Sequence, residues 1–310
     1  PVDIVWIEGI TNPETVRAVE RRVAEIDIDA LIATGNLEEY IADDIHTAFP
    51  TLAYTERPDR FSAGVVEGRV GLLIDGLPLG WLLPGTLSQF FKTPQDKSQG
   101  WMAASALMVL RYLCMLITLF LPAVYIAAVT FHLEMLPTEL ALSIIAAKQD
   151  VPFTTVFEVL LMLVAFEIIQ EAGLRLPSSI GQTVSILGGL VVGSAAVEAR
   201  IVSPAVLIVV AVAGIAGYTM PSQDFAGALR IWRFGLAALA SLAGMFGAAI
   251  GALLLICHLA SLESFGVAYL TPFAANDGEQ VEGHAVIRQP LPSVKLREAA
   301  LKTQNRRNQR

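Results

Sequence analysis

The chain has 310 residues, of which 54% are hydrophobic and 16% charged, with a mean hydropathy of +0.59 and a formal net charge of −8. The first 100 residues carry 16 acidic and 8 basic side chains. This balance excludes a nucleic-acid-binding surface there, because neutralising phosphates requires Lys and Arg. The cysteines Cys114 and Cys257 both lie in apolar runs and predict neither a disulfide framework nor a metal site.

The N-terminal segment carries alternating strand and helix signals. Val2 to Ile7 is rich in β-branched residues, which is typical of a strand. Asn12 and Pro13 then combine a preferred N-cap residue with proline at the first helical position, which predicts a helix start. A second, acidic helix is predicted over Leu37 to Ala42.

A β-hairpin is predicted next. Two apolar runs, Arg69 to Ile74 and Leu79 to Leu83, flank the sequence Asp75-Gly76-Leu77-Pro78, and Asp-Gly is a turn signal. We therefore expect residues 1–104 to form a small α/β domain. Because the chain starts at Pro1 without Met, we expect this domain to be incomplete at its N-terminal edge. It contains no phosphate loop, catalytic triad or metal-binding pattern.

A charged segment around a proline precedes the hairpin. Glu56, Arg57, Asp59 and Arg60 place four charges within six residues. They form either a salt-bridged helix start that docks on a neighbouring subunit or an ordinary solvated turn, since an exposed ion pair contributes only about 0–1 kcal/mol. These four residues are therefore subunit-contact candidates.

Four long runs beyond this domain contain no Asp, Glu, Lys or Arg. A bilayer core about 30 Å thick needs about 20 apolar residues in helical form to cross it. The runs therefore predict a polytopic helical membrane protein whose transmembrane domain covers residues 105–265. They are Tyr112 to Leu133, Leu176 to Val197, Ile201 to Gln223 and Phe234 to Leu262.

The first predicted span carries an arginine and a proline. Arg111 lies near its N-terminal end and is expected to snorkel to the cytoplasmic interface. Pro122 lies inside the span, where it removes one backbone hydrogen bond and predicts a kink. This kink is either a packing feature or a hinge, so Pro122 is the gating candidate.

Small residues crowd the later spans. Gly189 with Gly193, and Gly247 with Gly251, form GxxxG pairs. In lipid, helices associate through close backbone approach at small residues. The pairs indicate a packed bundle or an oligomer without choosing between them, so all four glycines are subunit-contact candidates.

The most informative polarity lies between the first two spans, in a helix predicted over 155–173. Glu158 stands at capping-box spacing from Thr155. Farther along, Glu167, Glu171 and Arg175 recur at i+4 and form one stripe on an apolar rod. An ionisable group at membrane depth costs at least about 2.5 kcal/mol unless it faces water or a partner.

Three interpretations of this helix compete. It lines an aqueous path whose carboxylates attract cations, it lies at the interface with its stripe in water, or Glu171 and Arg175 pair inside the bundle. The first interpretation makes Glu158, Glu167, Glu171 and Arg175 pore candidates. Pro137 to Ala147, just before it, is predicted to be a short amphipathic helix or a re-entrant arm.

Charge also predicts topology. The tail, residues 266–310, ends with six basic residues and one acidic residue in its last 16 positions and is expected to be cytoplasmic and in contact with anionic lipid. Its polar part, Asn276 to Arg310, is expected to be loosely ordered. The acidic N-terminal domain lacks an export signal and is expected on the same side. Two cytoplasmic ends require an even number of crossings, so the Glu-bearing helix is predicted to be only partly inserted.

The predicted fold class is therefore a membrane α-helical bundle preceded by a small cytoplasmic α/β domain. The bundle has about four transmembrane helices plus one partly inserted amphipathic helix. No paired catalytic constellation occurs within the spans, so an enzyme is not expected.

Long stretches spread along the chain resemble one family. They include VWIEGITNP from Val5 to Pro13, FPTLAYTERPDR from Phe49 to Arg60, EGRVGLLIDGLP from Glu67 to Pro78, FEIIQEAGLRLPSSIGQTVSILGGLVVG from Phe166 to Gly193 and SFGVAYLTPFA from Ser264 to Ala274. The chain is similar to the A subunit of GerA-type spore germinant receptors, a family that includes the spore membrane protein SpoVAF. Ala268 departs from that family, which usually has proline there.

The resemblance implies a subunit of a receptor complex in the inner membrane of dormant spores, with both soluble ends on the cytoplasmic side. It implies a homo-oligomer that forms a nutrient-gated channel for monovalent cations and starts germination, without a cofactor. Its implied partners are a transporter-like B subunit and a lipoprotein C subunit; in the SpoVAF branch the partner differs and the role is signal amplification. The alternatives are a secondary transporter or a non-conducting signalling scaffold.

Overall fold

The computed structural model of the protein describes residues 1–28, 34–175, 192–273 and 286–308. The chain separates into two compact units. The first comprises Pro1–Tyr112, Met220–Ala228 and Ile256–Arg310, and the second comprises Leu113–Thr219 and Leu229–Leu255. The first unit is thus assembled from three separate parts of the chain.

The first unit is built on an antiparallel sheet that has four strands within the described residues, in the order β1-β3-β4-β2. The strands are β1 (Val2–Val5), β2 (Ala53–Thr55), β3 (Val70–Ile74) and β4 (Gly80–Leu83). The predicted hairpin is confirmed, because β3 and β4 pair in antiparallel register. Gly76 in its turn has a φ of +85°, a left-handed conformation that glycine adopts without steric cost.

Short helices accompany this sheet: α1 (Pro13–Ala24), α2 (Thr34–Ile41), α3 (Pro58–Glu67), α4 (Leu87–Phe91) and α5 (Pro94–Ser98). The predicted start of α1 is confirmed, since the Asn12 side chain accepts a hydrogen bond from the Glu14 backbone N–H at 3.0 Å. The core contains Val19 of α1, Ile41 of α2 and Trp81 of β4. Burial of each such side chain stabilises the unit by about 1.5–3 kcal/mol.

The C-terminal tail folds against this unit, so the predicted loose order is wrong for residues 286–308. Arg297 donates a hydrogen bond to the backbone carbonyl of Val66 at 3.0 Å. The Gln304 backbone N–H donates to the carbonyl of Ile10 at 2.9 Å. The tail is therefore part of the folded first unit.

Glu298 in this tail neutralises two cations of the domain. Its carboxylate lies 3.2 Å from the Arg69 guanidinium and 2.8 Å from the Lys92 ammonium. The Arg69 side chain is only 1% exposed. Removing one partner of a buried ion pair typically costs about 3–5 kcal/mol, because the remaining charge stays buried.

We therefore expect Glu298→Gln to lower the melting temperature of the full chain clearly, with a loss in unfolding free energy of about 3 kcal/mol. Thermal unfolding followed by tryptophan fluorescence measures this loss. Glu67→Gln is the matched control, because the Glu67–Lys97 pair at 3.1 Å is solvent-exposed and such pairs contribute about 0–1 kcal/mol. Equal losses in the two variants would contradict a stabilising role for the buried ion pair between Glu298 and Arg69.

The second unit is helical. It contains, in whole or in part, α6 (Trp101–Thr130), α7 (Thr138–Lys148), α8 (Thr155–Arg175), α9 (described over residues 192–198), α10 (Pro204–Gly217) and α11 (Gln223–Ser261). Within the described residues, α6 and α11 are the helices long and apolar enough to cross a membrane. A helix, α7, is present where a short amphipathic helix or re-entrant arm was predicted over Pro137 to Ala147, and its placement at the membrane stays a prediction. Most of the predicted span Leu176 to Val197 lies outside the described residues.

Helices α8 and α10 run parallel to each other. At the start of both, the Ser203 backbone N–H donates to the Glu158 carboxylate at 2.7 Å. Farther along both, Gly214 packs so closely on the Phe166 ring that no side chain fits between them. The 21-residue helix α8 thus lies along α10 rather than across it.

Helix α6 runs antiparallel to α10. Thr118, in the middle of α6, donates to the Ala213 carbonyl near the end of α10 at 3.1 Å. Tyr125, farther along α6, forms a hydrogen bond with Ser203 at the start of α10. Later positions in α6 therefore meet earlier positions in α10.

Helix α11 folds back on itself and is not a single rod. Ala243 (φ −134°, ψ 19°) and Gly244 (φ 59°, ψ −139°) have non-helical backbone angles. Beyond them, a Cβ placed on Gly251 would lie 2.6 Å from the Leu236 side chain, although these residues would be about 22 Å apart in a straight helix. The span predicted over Phe234 to Leu262 is therefore two antiparallel arms, residues 223–242 and 245–261.

The two ends of this hairpin lie close together, which confirms the reversal independently. The Phe49 ring lies 5.7 Å from the Phe225 ring and 6.2 Å from the His258 ring, measured between centroids. In a straight helix Phe225 and His258 would be about 50 Å apart. The tip of the hairpin, at Gly244, packs against Phe131 just beyond the end of α6.

We expect Gly244→Ala to destabilise the detergent-solubilised protein by about 1–3 kcal/mol, because its backbone angles are essentially restricted to glycine. A Cβ there would also lie 3.0 Å from Phe131. The control is Gly235→Ala, in the helical first arm, where a Cβ meets nothing within 4 Å and alanine is favoured by about 1 kcal/mol. Thermal unfolding compares them, and a stable Gly244→Ala variant would contradict the reversal.

Candidate functional site

An ion-pair cluster in the second unit joins α8 to the first arm of the hairpin. Glu167 lies 3.2 Å from Arg230 through one carboxylate oxygen and contacts Arg233 through the other. The Arg233 side chain is 2% exposed, whereas those of Glu167 and Arg230 are 23% and 24% exposed. The two arginines are three positions apart on one helix, which places them on the same face.

This arrangement changes the role expected for Glu167. One carboxylate faces two guanidinium groups, so the three side chains together carry a positive charge. Glu167 is therefore compensated within the chain, and its contacts hold two helical elements together. Arg230 and Arg233 lie just before the predicted span that starts at Phe234, and a glutamate within an apolar helix signals the need for such a partner.

Glu158 is fully buried, with an exposed fraction of 0%. One carboxylate oxygen accepts the Ser203 backbone N–H at the start of α10, and the other lies 3.7 Å from the Lys148 ammonium. A carboxylate at a helix N-terminus is favoured by the helix dipole. The predicted capping box is wrong, because the Phe157 N–H bonds to the hydroxyl of Thr154 and Glu158 instead reaches across to α10.

The remaining residues of the polar stripe lie toward the end of α8. Glu171 is exposed, one helical turn beyond Glu167. Arg175 is the last residue of α8, and its side chain lies outside the described ones. The ion-path roles of these residues stay predictions.

The outer face of α8 is a continuous stripe that ends in a carboxylate. Its exposed apolar members recur at spacings of three and four residues, as one face of a helix does. They are Phe157 (46% exposed), Leu161 (37%), Val164 (46%) and Ile168 (64%). Glu171 continues the series at the next position.

The gating and glycine candidates have packing roles within the chain. Pro122 is buried inside the uninterrupted helix α6. A Cβ on Gly193 would lie 3.0 Å from Leu207 of α10, and Gly247 and Gly251 face the other arm of their own hairpin. Gly189 lies outside the described residues. Gating by Pro122 and subunit contact through the glycines stay predictions.

The charged segment of the first unit surrounds the start of α3. Arg57 and Asp59 form an exposed ion pair at 2.7 Å, and the hydrogen bond from Arg57 holds the pKa of Asp59 below its usual value. Glu56 is exposed, whereas Arg60 is half-buried. This exposed ion pair at the start of α3 fits both the docking helix start and the ordinary solvated turn, and a role in subunit contact stays a prediction.

A cavity of about 350 Å³ adjoins this segment and the start of α11. At its wall, burial and the nearby Asp224 carboxylate, to which the Tyr54 hydroxyl is hydrogen-bonded, raise the pKa of Tyr54 to about 12. Arg111 binds the Asp96 carboxylate at 2.7 and 2.9 Å, and its expected position at the cytoplasmic interface stays a prediction. Within the described part of the chain, no cluster of His, Cys, Asp and Glu is placed to hold a metal ion.

We expect Glu167→Gln to destabilise the protein by about 3–5 kcal/mol, because it leaves Arg233 buried without a carboxylate. Combining it with Arg233→Met should recover part of the loss, since the more deeply buried charge is then removed as well. Glu139→Gln, at an exposed position of α7, is the control. A double variant no more stable than the single variant in thermal unfolding would contradict the pairing.

Comparison with known proteins identifies relatives along almost the whole chain. Residues 1–300 match the family described as Bacillus/Clostridium GerA spore germination protein. The chain is 41% identical to spore germination protein B1 of Bacillus subtilis over 296 residues, which cover 96% of this chain and 61% of that protein. It is 41% identical to spore germination protein KA of the same organism over 289 residues, covering 93% and 53%.

A third relative, the B. subtilis membrane protein YfkQ, is 40% identical over 281 residues, covering 91% of this chain and 55% of YfkQ. The chain therefore spans somewhat more than half the length of these relatives. No solved structure is significantly similar to it. The match over residues 1–300 shows that the chain belongs to the GerA spore germination protein family.

Proposed function

We propose that this chain is part of a germinant-receptor A subunit that oligomerises into a nutrient-gated cation channel in the spore inner membrane. Family membership supports the germination role. The observation that carries the channel proposal is the outer stripe of α8, an apolar helical face that ends in Glu171.

The helix directions support a membrane domain with an even number of crossings. Helix α8 has 21 residues, about 32 Å, which matches a bilayer core of about 30 Å. Since α8 and α10 run parallel, two crossings in the same direction require a crossing between them, and we propose that the predicted span Leu176 to Val197, most of which lies outside the described residues, makes it. With α6 and the two arms of α11, six crossings result and both soluble ends stay on the cytoplasmic side.

This topology replaces the partly inserted helix with a full crossing. The four spans predicted from the sequence give an even number of crossings without α8 only if α11 crosses the bilayer once. The fold-back at Gly244 makes α11 two crossings, so α8 completes an even total. A full-length α8 can then line a pore from one membrane face to the other.

Within the oligomer, we propose that the outer stripe of α8 lines the pore. A ring of Glu171 side chains, one from each subunit, concentrates cations at one mouth, as acidic rings do in cation channels. Leu161, Val164 and Ile168 form an apolar constriction that closes the path by excluding water. Glu158 binds the start of α10 and Glu167 binds the arginines of α11, and these contacts hold the helix in place, while Pro122 remains the candidate for bending α6 during gating.

The proposed partners are further copies of this chain, the transporter-like B subunit that receives the nutrient, and the lipoprotein C subunit. Monovalent cations are the conducted species. A secondary transporter would show saturable counterflow without single-channel steps, and a scaffold would show no flux through the A subunit. Each of these outcomes would replace the channel proposal.

We expect Ile168→Ser to increase resting potassium leak, because a hydroxyl in the constriction lowers the cost of wetting it. Ile208→Ser on α10 is the matched control, since the two isoleucines are 64% and 63% exposed. Potassium efflux from liposomes containing the intact receptor measures the leak. Equal leaks for the two variants would contradict the proposal that α8 lines the pore.

In the same liposomes, Glu171→Gln should reduce the preference for potassium over chloride several-fold, because it neutralises the acidic ring. Glu139→Gln on α7 serves as the control. An unchanged reversal potential in a potassium chloride gradient for Glu171→Gln would contradict the acidic ring.

A further inference from the structure

A second cavity, of about 210 Å³, lies in the first unit between α3 and the segment that carries α4 and α5. Its wall includes Arg60 and Ala63 of α3, Gln89 of α4 and Lys92. It is smaller than the roughly 300–1,000 Å³ of sites that enclose drug-sized ligands. Its dimensions therefore suit a small ion or metabolite.

Arg60 is a half-buried cation at this wall, and no carboxylate pairs with it among the described residues. The other charges that line the cavity are all paired. Asp59 binds Arg57, Glu67 binds Lys97, and Lys92 binds Glu298. Among the described residues that line this cavity, Arg60 is therefore the charged side chain without a partner of opposite charge.

The surroundings of Arg60 increase this positive excess. Glu298 is shared between Lys92 and the buried Arg69. Burial, and to a lesser extent the charge of Arg69, lower the pKa of Arg60. Arg69 and Lys92 thus share one carboxylate while Arg60 has none among the described residues, and a partly buried charge without a partner is costly.

Gln89 gives an independent sign of a missing ligand. The residue is 8% exposed, lines the same cavity, and its side-chain oxygen has no hydrogen-bond partner among the described residues. Native proteins pair most buried polar atoms. A side-chain amide carries both an oxygen acceptor and a nitrogen donor, so Gln89 can accept from a protonated oxygen or, with its amide rotated, donate to an anionic one.

We propose that this cavity binds a small oxyanion, a free phosphate or carboxylate group, between Arg60, Lys92 and Gln89. The planar guanidinium of Arg60 matches the paired oxygens of either group. Bound there, the anion compensates the excess charge and supplies the partner that Gln89 lacks. The site is separate from the ion path proposed for α8.

Isothermal titration of the purified full chain with sodium phosphate and with sodium acetate tests the proposal. We expect saturable binding of at least one anion, weakened tenfold or more by Arg60→Met. Arg21→Met is the control for loss of an arginine charge, because Arg21 is exposed on α1 and does not line the cavity. Binding of phosphate alone or of acetate alone would assign the site to that group.

A second variant tests the cavity if Arg60→Met fails to fold. Ala63→Leu fills the space from the surface of α3 without changing charge, and it should abolish binding. The proposal is overturned if neither anion binds, if Arg21→Met weakens binding as much as Arg60→Met, or if Ala63→Leu binds normally.

Discussion

The ion pairs between Glu167 and the two arginines of α11 are the interaction on which the helical unit depends. Arg233 is almost completely buried, and an isolated charge in that position would cost several kcal/mol. The carboxylate that compensates it belongs to α8, so the hairpin and α8 must pack together for either charge to be tolerated. The fold-back at Gly244 then fixes how far the hairpin extends.

This requirement divides the carboxylates of α8 by function. Glu158 and Glu167 satisfy groups inside the chain, a backbone N–H of α10 and the arginines of α11. Between them, the side chains of Phe157, Leu161, Val164 and Ile168 form an exposed apolar stripe along α8. A helix that is anchored by charge at two positions and carries an exposed apolar stripe suits the lining of a pore made by several copies.

Local chemistry made part of the fold predictable from the sequence. The Asn12–Pro13 helix start and the Asp75–Gly76 hairpin depend on neighbouring residues alone, and both were predicted. The reversal at Gly244 was missed, because one glycine within a continuous apolar helical run gives no signal of a turn. The Glu167–Arg233 pair joins residues 66 positions apart, and the tail was misjudged because its arginines bind backbone carbonyls, which composition does not reveal.

The central claim, that the outer face of α8 lines the conducting path, is tested most directly by cysteine scanning of that helix. In a background without Cys114 and Cys257, single cysteines from position 157 to 171 are treated with a charged, membrane-impermeant thiol reagent during potassium flux. Block at 161, 164, 168 and 171, with no block at the buried positions between them, is the predicted result. Block that ignores this periodicity, or no block at any position, would contradict it.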